Sequence, residues 1–171
     1  MKPSATFWNL LAKRYARSPV ADQAAYERKL EITRGYLTPE TKLLEFGCGT
    51  GSTAIVHAPN VDTLLAVDIS PKMLAIAKSK AAEAGVTNIT FETSSIDEFS
   101  RPKGSFDVIL GMSILHLLAD KEAVLKNVFD MLKPGGVFIS STVCVPKKWY
   151  LQLILPIGRP LGLFPLLRFF T

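Results

Sequence analysis

Residues 43–51 read LLEFGCGTG, an apolar run that leads into three glycines spaced two residues apart. A short apolar run that ends in glycines is typical of a buried strand that turns directly into a helix. Glycines at such a turn carry no side chain, so the backbone can approach a ligand closely. The stretch therefore predicts the first strand of an α/β sheet with a ligand site at its carboxyl end. A tight strand-to-helix turn without a ligand is the alternative.

Strand and helix patterns alternate regularly after this loop. Ser70 and Pro71 form a helix start, with a side-chain cap followed by proline at the first position. We expect strands over residues 42–46, 63–67, 89–92, 106–112 and 137–142, and helices or helical turns over residues 6–17, 22–37, 52–58, 71–84, 96–99 and 120–132. This rhythm implies right-handed crossovers and a doubly wound, mostly parallel, Rossmann-like α/β sheet with helices on both faces.

Charge and composition exclude several classes of protein. The chain has 20 basic and 15 acidic residues, a net charge of +5, with the basic excess in residues 1–36 and 143–171. A nucleic-acid-binding protein usually shows a denser basic stripe, so we predict no nucleic-acid partner. Cys48 and Cys144 lie far apart and the chain has two histidines, so no metal site is predicted. The first residues contain no continuous apolar stretch, which predicts a cytoplasmic protein.

The residues around the glycines indicate which kind of ligand binds. Ser52 stands where a dinucleotide fingerprint has its third glycine. No lysine follows the loop to bind nucleotide phosphates. Asp68 ends the second predicted strand, where its carboxylate can accept hydrogen bonds from vicinal ribose hydroxyls. Glu45 precedes the glycines and can hold a cationic amino group. S-adenosylmethionine has a ribose and a positive charge but no phosphate, and it fits these features. Asp68 as a cap partner of the following helix is the alternative.

Four motifs in this order resemble those of the class I S-adenosylmethionine-dependent methyltransferases. They are EFGCGTG at 45–51, DISPKMLAIA at 68–77, FDVIL at 106–110 with Leu-His at 115–116, and LKPGG at 132–136. The resemblance covers roughly residues 37–142. It implies the fold of that family, which carries seven strands, although the sequence after the fifth predicted strand shows no alternation typical of the last two. It also implies three regions: an N-terminal helical lid (1–37), a cofactor-binding domain (38–142) and an apolar C-terminal segment near the substrate site (143–171).

The resemblance also implies roles for individual residues. Gly47, Cys48, Gly49 and Gly51 would surround the methionine part of the cofactor, and Asp68 would bind its ribose. Serine stands at Ser94 where the family often has an aspartate for the adenine, so Ser94 or Asp97 would make that contact. Further cofactor contacts are implied for Tyr15, Glu45, Ile69, Met73, Ser95, Ile96 and Met112. Core packing is the alternative for Met73 and Tyr15, and it is what we expect of Trp8.

Methyl transfer is an in-line displacement that depends mainly on positioning, so a catalytic triad is not needed. His116 is the candidate general base, because it follows the fourth predicted strand. The alternative is that His116 only starts a helix and bonds to the backbone. The Asn/Asp-Pro-Pro-aromatic motif of enzymes that methylate nucleic-acid amino groups is absent, since residues 111–115 read GMSIL.

The last 29 residues are apolar and edged by Lys147, Lys148, Arg159 and Arg168. Their uncharged stretches are too short to span a bilayer. An apolar, basic-edged segment can shape a pocket for a hydrophobic small molecule, or touch an anionic membrane surface through residues 147–170. Burial against the sheet, or against a second subunit in a homodimer, is the alternative.

The function expected from the sequence is transfer of a methyl group from S-adenosylmethionine to a small, hydrophobic acceptor, with S-adenosylhomocysteine as product. A non-catalytic cofactor-binding or scaffold protein with this fold is the alternative from another class. A nicotinamide-dependent reductase is disfavoured by Ser52.

Overall fold

Five parallel strands form one sheet in the part of the chain that the computed structural model describes, residues 3–142. The strands are β1 (Lys42–Phe46), β2 (Thr63–Asp68), β3 (Ile89–Thr93), β4 (Phe106–Met112) and β5 (Leu132–Ser141). Their spatial order is β3-β2-β1-β4-β5, and every neighbouring pair is parallel. The order reverses between β1 and β4, and a crevice at such a point is where open α/β sheets bind ligands. The predicted doubly wound α/β fold is confirmed.

Helices connect and cover these strands. They are α1 (Pro3–Arg17), α2 (Gln23–Arg34), α3 (Ser52–His57), α4 (Pro71–Glu83) and α5 (Lys121–Met131), with short 3₁₀ turns at Ala58–Asn60 and Leu115–Leu117. Ser70 caps α4 and accepts the N–H of Met73, while Pro71 occupies the first helical position, as the sequence predicts. Asp120 caps α5 in the same way through the N–H of Ala123.

The three central strands β1, β2 and β4 are buried on both faces. Leu44, Phe46 and Ile109 pack with Val128 and Met131 of α5 on one face. The alternating residues of the same strands pack with α3 and α4 on the other face; they include Leu43, Leu64 and Leu110. Burial on both faces explains why the strands read as nearly continuous apolar runs instead of alternating patterns.

Three element boundaries differ by three residues or more from the sequence prediction. α1 begins at Pro3 instead of residue 6. β5 begins at Leu132, five residues earlier than expected, because the stretch around Gly135 bulges and the register shifts between Phe106 and Val108 of β4. Lys133, next to this bulge, forms an ion pair with Asp107 at 2.7 Å. At the other end of the chain, α2 stops at Arg34 instead of residue 37, and Gly35 is its C-cap.

The apolar C-terminal segment (143–171), and with it the membrane contact predicted for residues 147–170, lies outside the described residues. The limits of the three predicted regions, the homodimer and the cytoplasmic location also stay predictions. Within residues 3–142, none of the helices combines the length and the hydropathy needed to cross a bilayer.

Candidate functional site

The glycine loop between β1 and α3 has a backbone that only glycine adopts without strain. Gly47, Gly49 and Gly51 have φ angles of 68°, 55° and 73°. A Cβ on Gly51 would lie 2.8 Å from Cβ of Ala77, and one on Gly47 would lie 2.8 Å from the side chain of Ile114. Gly47 and Gly51 therefore exclude side chains both by conformation and by space, and Gly49 excludes them by conformation alone.

Asp68 lies directly beside this loop. Its Oδ2 accepts the backbone N–H of Gly49 at 2.8 Å, and its Oδ1 accepts the N–H of Ser70, also at 2.8 Å. Burial raises the pKa of the Asp68 carboxyl, and the N–H donors of Ser70 and Gly49 oppose that rise. Each carboxylate oxygen has more than one lone pair, so both can still accept a hydrogen bond from a ligand.

A cavity of about 390 Å³ opens above Asp68 and the glycine loop. That volume lies within the range of small-molecule sites. It is lined by residues from α1, the glycine loop, the turns after β2 and β3, and the segment after β4: Ser4, Trp8, Tyr15, Gly47, Gly49, Asp68, Ile69, Met73, Ser94, Ser95, Ile96, Asp97, Met112, Ser113, Ile114, Leu117, Leu118 and Ala119. The cavity thus sits where the strand order predicts a ligand site.

The structure brings most of the predicted cofactor-contacting residues to this cavity. Those that line it are Tyr15, Gly47, Gly49, Asp68, Ile69, Met73, Ser95, Ile96 and Met112. Four other candidates, Glu45, Cys48, Gly51 and His116, are not among the lining residues. Gly51 faces α4 and β3 instead, since Ala77 and Phe91 are its nearest neighbours.

Glu45 is a buried carboxyl group on β1. Its Oε2 has no hydrogen-bond partner among the described residues. Burial, together with the nearby charge of Asp68, raises the pKa of Glu45 to about 8. Glu45 is therefore mainly neutral at pH 7, while the hydrogen-bonded Asp68 is the carboxylate exposed to the cavity.

Cys48 is a buried loop residue. Burial is the main cause that raises the pKa of its thiol, and the charges of Glu45 and Asp68 add to the rise. The thiol therefore stays protonated and is not an activated nucleophile.

His116 lies in the 3₁₀ turn after β4 and is buried. Its neighbours Ile114 and Leu117 line the cavity, whereas its own side chain does not. Nδ1 of His116 has no hydrogen-bond partner in the part of the chain described, and burial lowers its pKa. The imidazole is therefore neutral at pH 7, and the role of general base stays a prediction.

The turn after β3 carries the groups that stand in place of the aspartate of the resembled family. Ser94 and Asp97 both line the cavity. The hydroxyl of Ser95 donates to Oδ2 of Asp97 at 2.9 Å, which holds that carboxylate in place. The N–H of Ser94 donates to the backbone carbonyl of Asp68, so this turn is tied to the end of β2.

Several cavity residues were missed by the sequence reasoning. Trp8 lines the cavity instead of serving only as core, and its ring packs edge-on against Tyr15. The spacing of seven residues between the two aromatic rings was the available signal, because it places both on one face of a helix. Ser113 has a φ of 54°, a left-handed conformation that nothing in the local sequence indicates. Ser4 and residues 117–119 carry no motif.

Much of the cavity lining is apolar. Trp8, Met112, Ile114, Leu117 and Leu118 line the cavity together with Asp68 and the glycine loop. Residues 3–142 bring together no group of three His, Cys, Asp or Glu side chains that could hold a metal ion. The arrangement therefore suits an organic ligand with one hydrogen-bonding sugar-like part and a neighbouring apolar partner.

Comparisons with known proteins agree with this geometry. Residues 37–153 match a family model described as a methyltransferase domain. The chain is 32% identical over 100 residues to an uncharacterized methyltransferase, YcgJ, of Bacillus subtilis, covering 58% of this chain and 40% of that protein. It is 30% identical over 125 residues to a ubiquinone biosynthesis O-methyltransferase of Paracidovorax citrulli, covering 72% of this chain and 52% of that one.

A solved structure of an S-adenosylmethionine dependent methyltransferase from Mesorhizobium loti superposes with a TM-score of 0.62 and 30% identity. The superposition covers 71% of this chain and 54% of that one. The chain spans about half the length of the curated relatives it matches.

Proposed function

This chain belongs to the methyltransferase domain family, and from that premise we propose that it binds S-adenosylmethionine in the cavity and methylates a small, apolar acceptor. The observation that carries the proposal is the position of Asp68. Asp68 lies at the carboxyl end of β2 beside the glycine loop and lines the cavity, and each of its carboxylate oxygens accepts one backbone N–H.

The residues around the cavity fit this cofactor. Asp68 would accept hydrogen bonds from the ribose hydroxyls, and Ile69 and Met73 would contact the adenine. Gly47 and Gly49 leave room for the methionine part. Among residues 3–142, no lysine or arginine lines the cavity, which agrees with a ligand that carries no phosphate.

Tyr15 and Glu45 are two polar groups near the methionine part of such a ligand. Partial burial and the negative charges of Asp68 and Glu45 raise the pKa of the Tyr15 hydroxyl, so it stays protonated and can donate a hydrogen bond. The carbon Cε1 of Tyr15 would lie 3.9 Å from a Cβ added to Gly49. Glu45 does not line the cavity, so its unpartnered Oε2 would act on a cationic group through charge, by ionising when that group arrives.

The protein's part in the reaction is positioning and exclusion of water. When bound, the cofactor supplies a methyl group on a cationic sulfur atom, and its departure leaves neutral S-adenosylhomocysteine. Met112 and Ile114 face the cavity near the glycine loop and keep water from that region. Holding two reactants in line can supply about 7–11 kcal/mol of the barrier reduction, so the proposal does not depend on His116 as a base.

The apolar share of the cavity lining supports the acceptor class. Aromatic and aliphatic side chains such as Trp8, Ile114 and Leu117 line the cavity together with Asp68. The Paracidovorax citrulli relative is named as an O-methyltransferase of ubiquinone biosynthesis, which agrees with an apolar acceptor that offers a hydroxyl group. We therefore propose a small hydrophobic molecule with an oxygen, nitrogen or carbon nucleophile.

The test is transfer of a labelled methyl group from S-adenosylmethionine to a panel of hydrophobic phenols, amines and ring ketones. The full chain should label at least one acceptor, and Asp68→Ala should lose the transfer while Asp62→Ala, an exposed carboxylate before the same strand, keeps it. Binding of S-adenosylhomocysteine without transfer to any acceptor would favour the non-catalytic binding protein. The absence of both binding and transfer would refute the proposal.

A further inference from the structure

Asn9 joins α1 to the start of α4. Its Oδ1 accepts the hydroxyl of Ser70 at 2.7 Å and the backbone N–H of Lys72 at 3.2 Å. These partners lie 61 and 63 residues away in the sequence. Since the N–H of Lys72 can only donate, the atom of Asn9 that faces it must be the carbonyl oxygen.

The contact completes the N-terminal cap of α4. The first N–H groups of a helix have no acceptor inside the helix. Pro71 has no N–H, and the N–H of Met73 donates to the Ser70 hydroxyl oxygen at 3.1 Å. The N–H of Lys72 is the donor between them, and Asn9 supplies its acceptor from another helix.

Ser70 links this cap to the cavity. Its backbone N–H donates to Oδ1 of Asp68, and Oδ2 of Asp68 accepts the N–H of Gly49. Hydrogen bonds therefore run without a break from the glycine loop through Asp68 and Ser70 to Asn9. The helix that carries Asn9 also carries three cavity residues, Ser4, Trp8 and Tyr15.

Apolar burial of α1 is partial. Among the side chains of residues 4–17, Ala5 and Ala12 are the fully buried ones, and both are small. Phe7, Trp8 and Leu11 are half-buried, and Leu10 is 67% exposed. The polar attachment to α4 therefore adds to a partial apolar contact in keeping α1 in place.

We propose that Asn9 is a positioning residue, the latch that holds α1 over the cavity and so sets the affinity for the ligand at Asp68. The inference rests on the proposed function, because that ligand is the cofactor. Asn9 touches neither the cofactor nor the acceptor in this account; it acts through Ser70 and through the helix that carries Trp8 and Tyr15.

The test compares three variants of the full chain. Asn9→Ala removes the acceptor oxygen, Asn9→Asp keeps it, and Lys13→Ala changes an exposed residue of the same helix. Amide hydrogen exchange is measured for residues 7–17 and for β1 and β4 without ligand. The affinity for S-adenosylhomocysteine is then measured by calorimetry.

Loss of a cap of this kind predicts exchange of residues 7–17 that is roughly 5- to 30-fold faster in Asn9→Ala, with β1 and β4 unchanged. The affinity for S-adenosylhomocysteine should fall by a similar factor, and Asn9→Asp should behave like the wild type in both measurements.

Three results would overturn the latch. The first is exchange of residues 7–17 in Asn9→Ala at the same rate as in Lys13→Ala. The second is faster exchange in Asn9→Ala that is equally large in β1 and β4. The third is faster exchange of residues 7–17 with an unchanged affinity for S-adenosylhomocysteine. If the wild type itself binds no S-adenosylhomocysteine, the proposed function fails, and the exchange data still decide whether Asn9 holds α1.

Discussion

Oδ2 of Asp68 accepts the backbone N–H of Gly49 at 2.8 Å, across 19 residues of sequence. The bond ties the carboxyl end of β2 to the loop that follows β1. The same carboxylate that is proposed to bind the ribose therefore also fixes the shape of the glycine loop. Ligand affinity and order of the loop should respond together when this residue is changed.

Replacing Asp68 tests this double role. Asp68→Ala removes two charge-assisted hydrogen bonds to backbone N–H groups, each worth about 1.5–3 kcal/mol, as well as the ribose contact. We expect the affinity for S-adenosylhomocysteine to fall by roughly 10- to 100-fold, and the free energy of unfolding to fall as well. Calorimetry and urea denaturation measure the two effects, and exposed Asp62→Ala is the control. An unchanged affinity would contradict the assigned role.

Gly51 and Gly85 separate steric exclusion from backbone strain. Both have a positive φ, 73° and 67°, but an added Cβ meets Ala77 at 2.8 Å only at Gly51, whereas nothing lies within 4 Å at Gly85. Gly85→Ala should lower the free energy of unfolding by about 1–2 kcal/mol, the strain of the left-handed conformation alone. Gly51→Ala should lower it further and weaken S-adenosylhomocysteine binding. Equal losses of stability in urea denaturation would show that the close approach of α4 does not matter.

Glu45 should make the protein less stable as the pH rises. Its pKa is raised to about 8 in the folded state by burial and by Asp68, so the folded protein keeps a proton that the unfolded chain releases near pH 4–5. The contribution of Glu45 to the free energy of unfolding is fully present below pH 4–5 and is lost as the pH rises through 8. Glu45→Gln should match the wild type at pH 5 and exceed it at pH 9 by on the order of 2–4 kcal/mol.

Urea denaturation at both pH values measures this difference. Glu40→Gln, at an exposed carboxylate just before β1, is the matched control and should show no gain at pH 9. The account of Glu45 is wrong if Glu45→Gln loses stability at pH 9.

His57 should have the opposite pH dependence. It is fully buried at the end of α3, and neither ring nitrogen has a hydrogen-bond partner among the described residues. Burial, with a smaller effect of Arg34, lowers the pKa of His57 to about 4. The unfolded chain therefore takes up a proton first, and stability is lost as the pH falls from about 6.5 toward 4.

His57→Leu should remove this loss, which amounts to about 2–3 kcal/mol. The free energy of unfolding of wild type and variant is compared at pH 7 and pH 4.5. Val56→Leu, at an exposed position of the same helix, is the control and should keep the loss of stability at pH 4.5. The prediction is contradicted if the free energies of unfolding of wild type and His57→Leu differ by the same amount at both pH values.

The local parts of the fold could be predicted from the sequence. The bounds of β1 and β4 are as expected, because their apolar runs end at glycine or at a turn. The Ser70-Pro71 helix start is also confirmed. Asp68 was placed beside the glycine loop because parallel strands bring their carboxyl ends to one edge of the sheet.

The features that the sequence did not indicate depend on contacts between distant segments of the chain. Asn9 caps a helix more than 60 residues away, and no local pattern marks an asparagine in mid-helix as a cap. Glu45 is buried and does not line the cavity, and its part in holding a cationic amino group, directly or through water, stays a prediction. His116 follows β4 as expected. At the 3₁₀ turn there, Ile114 and Leu117 line the cavity, and the side chain of His116 does not.

The most direct test is a crystal structure of the full chain grown with S-adenosylhomocysteine. The account predicts the nucleoside in the cavity between α1 and the glycine loop, with both ribose hydroxyls within hydrogen-bond distance of the Asp68 carboxylate. A nucleoside bound elsewhere, or one in the cavity whose ribose makes no contact with Asp68, would contradict it.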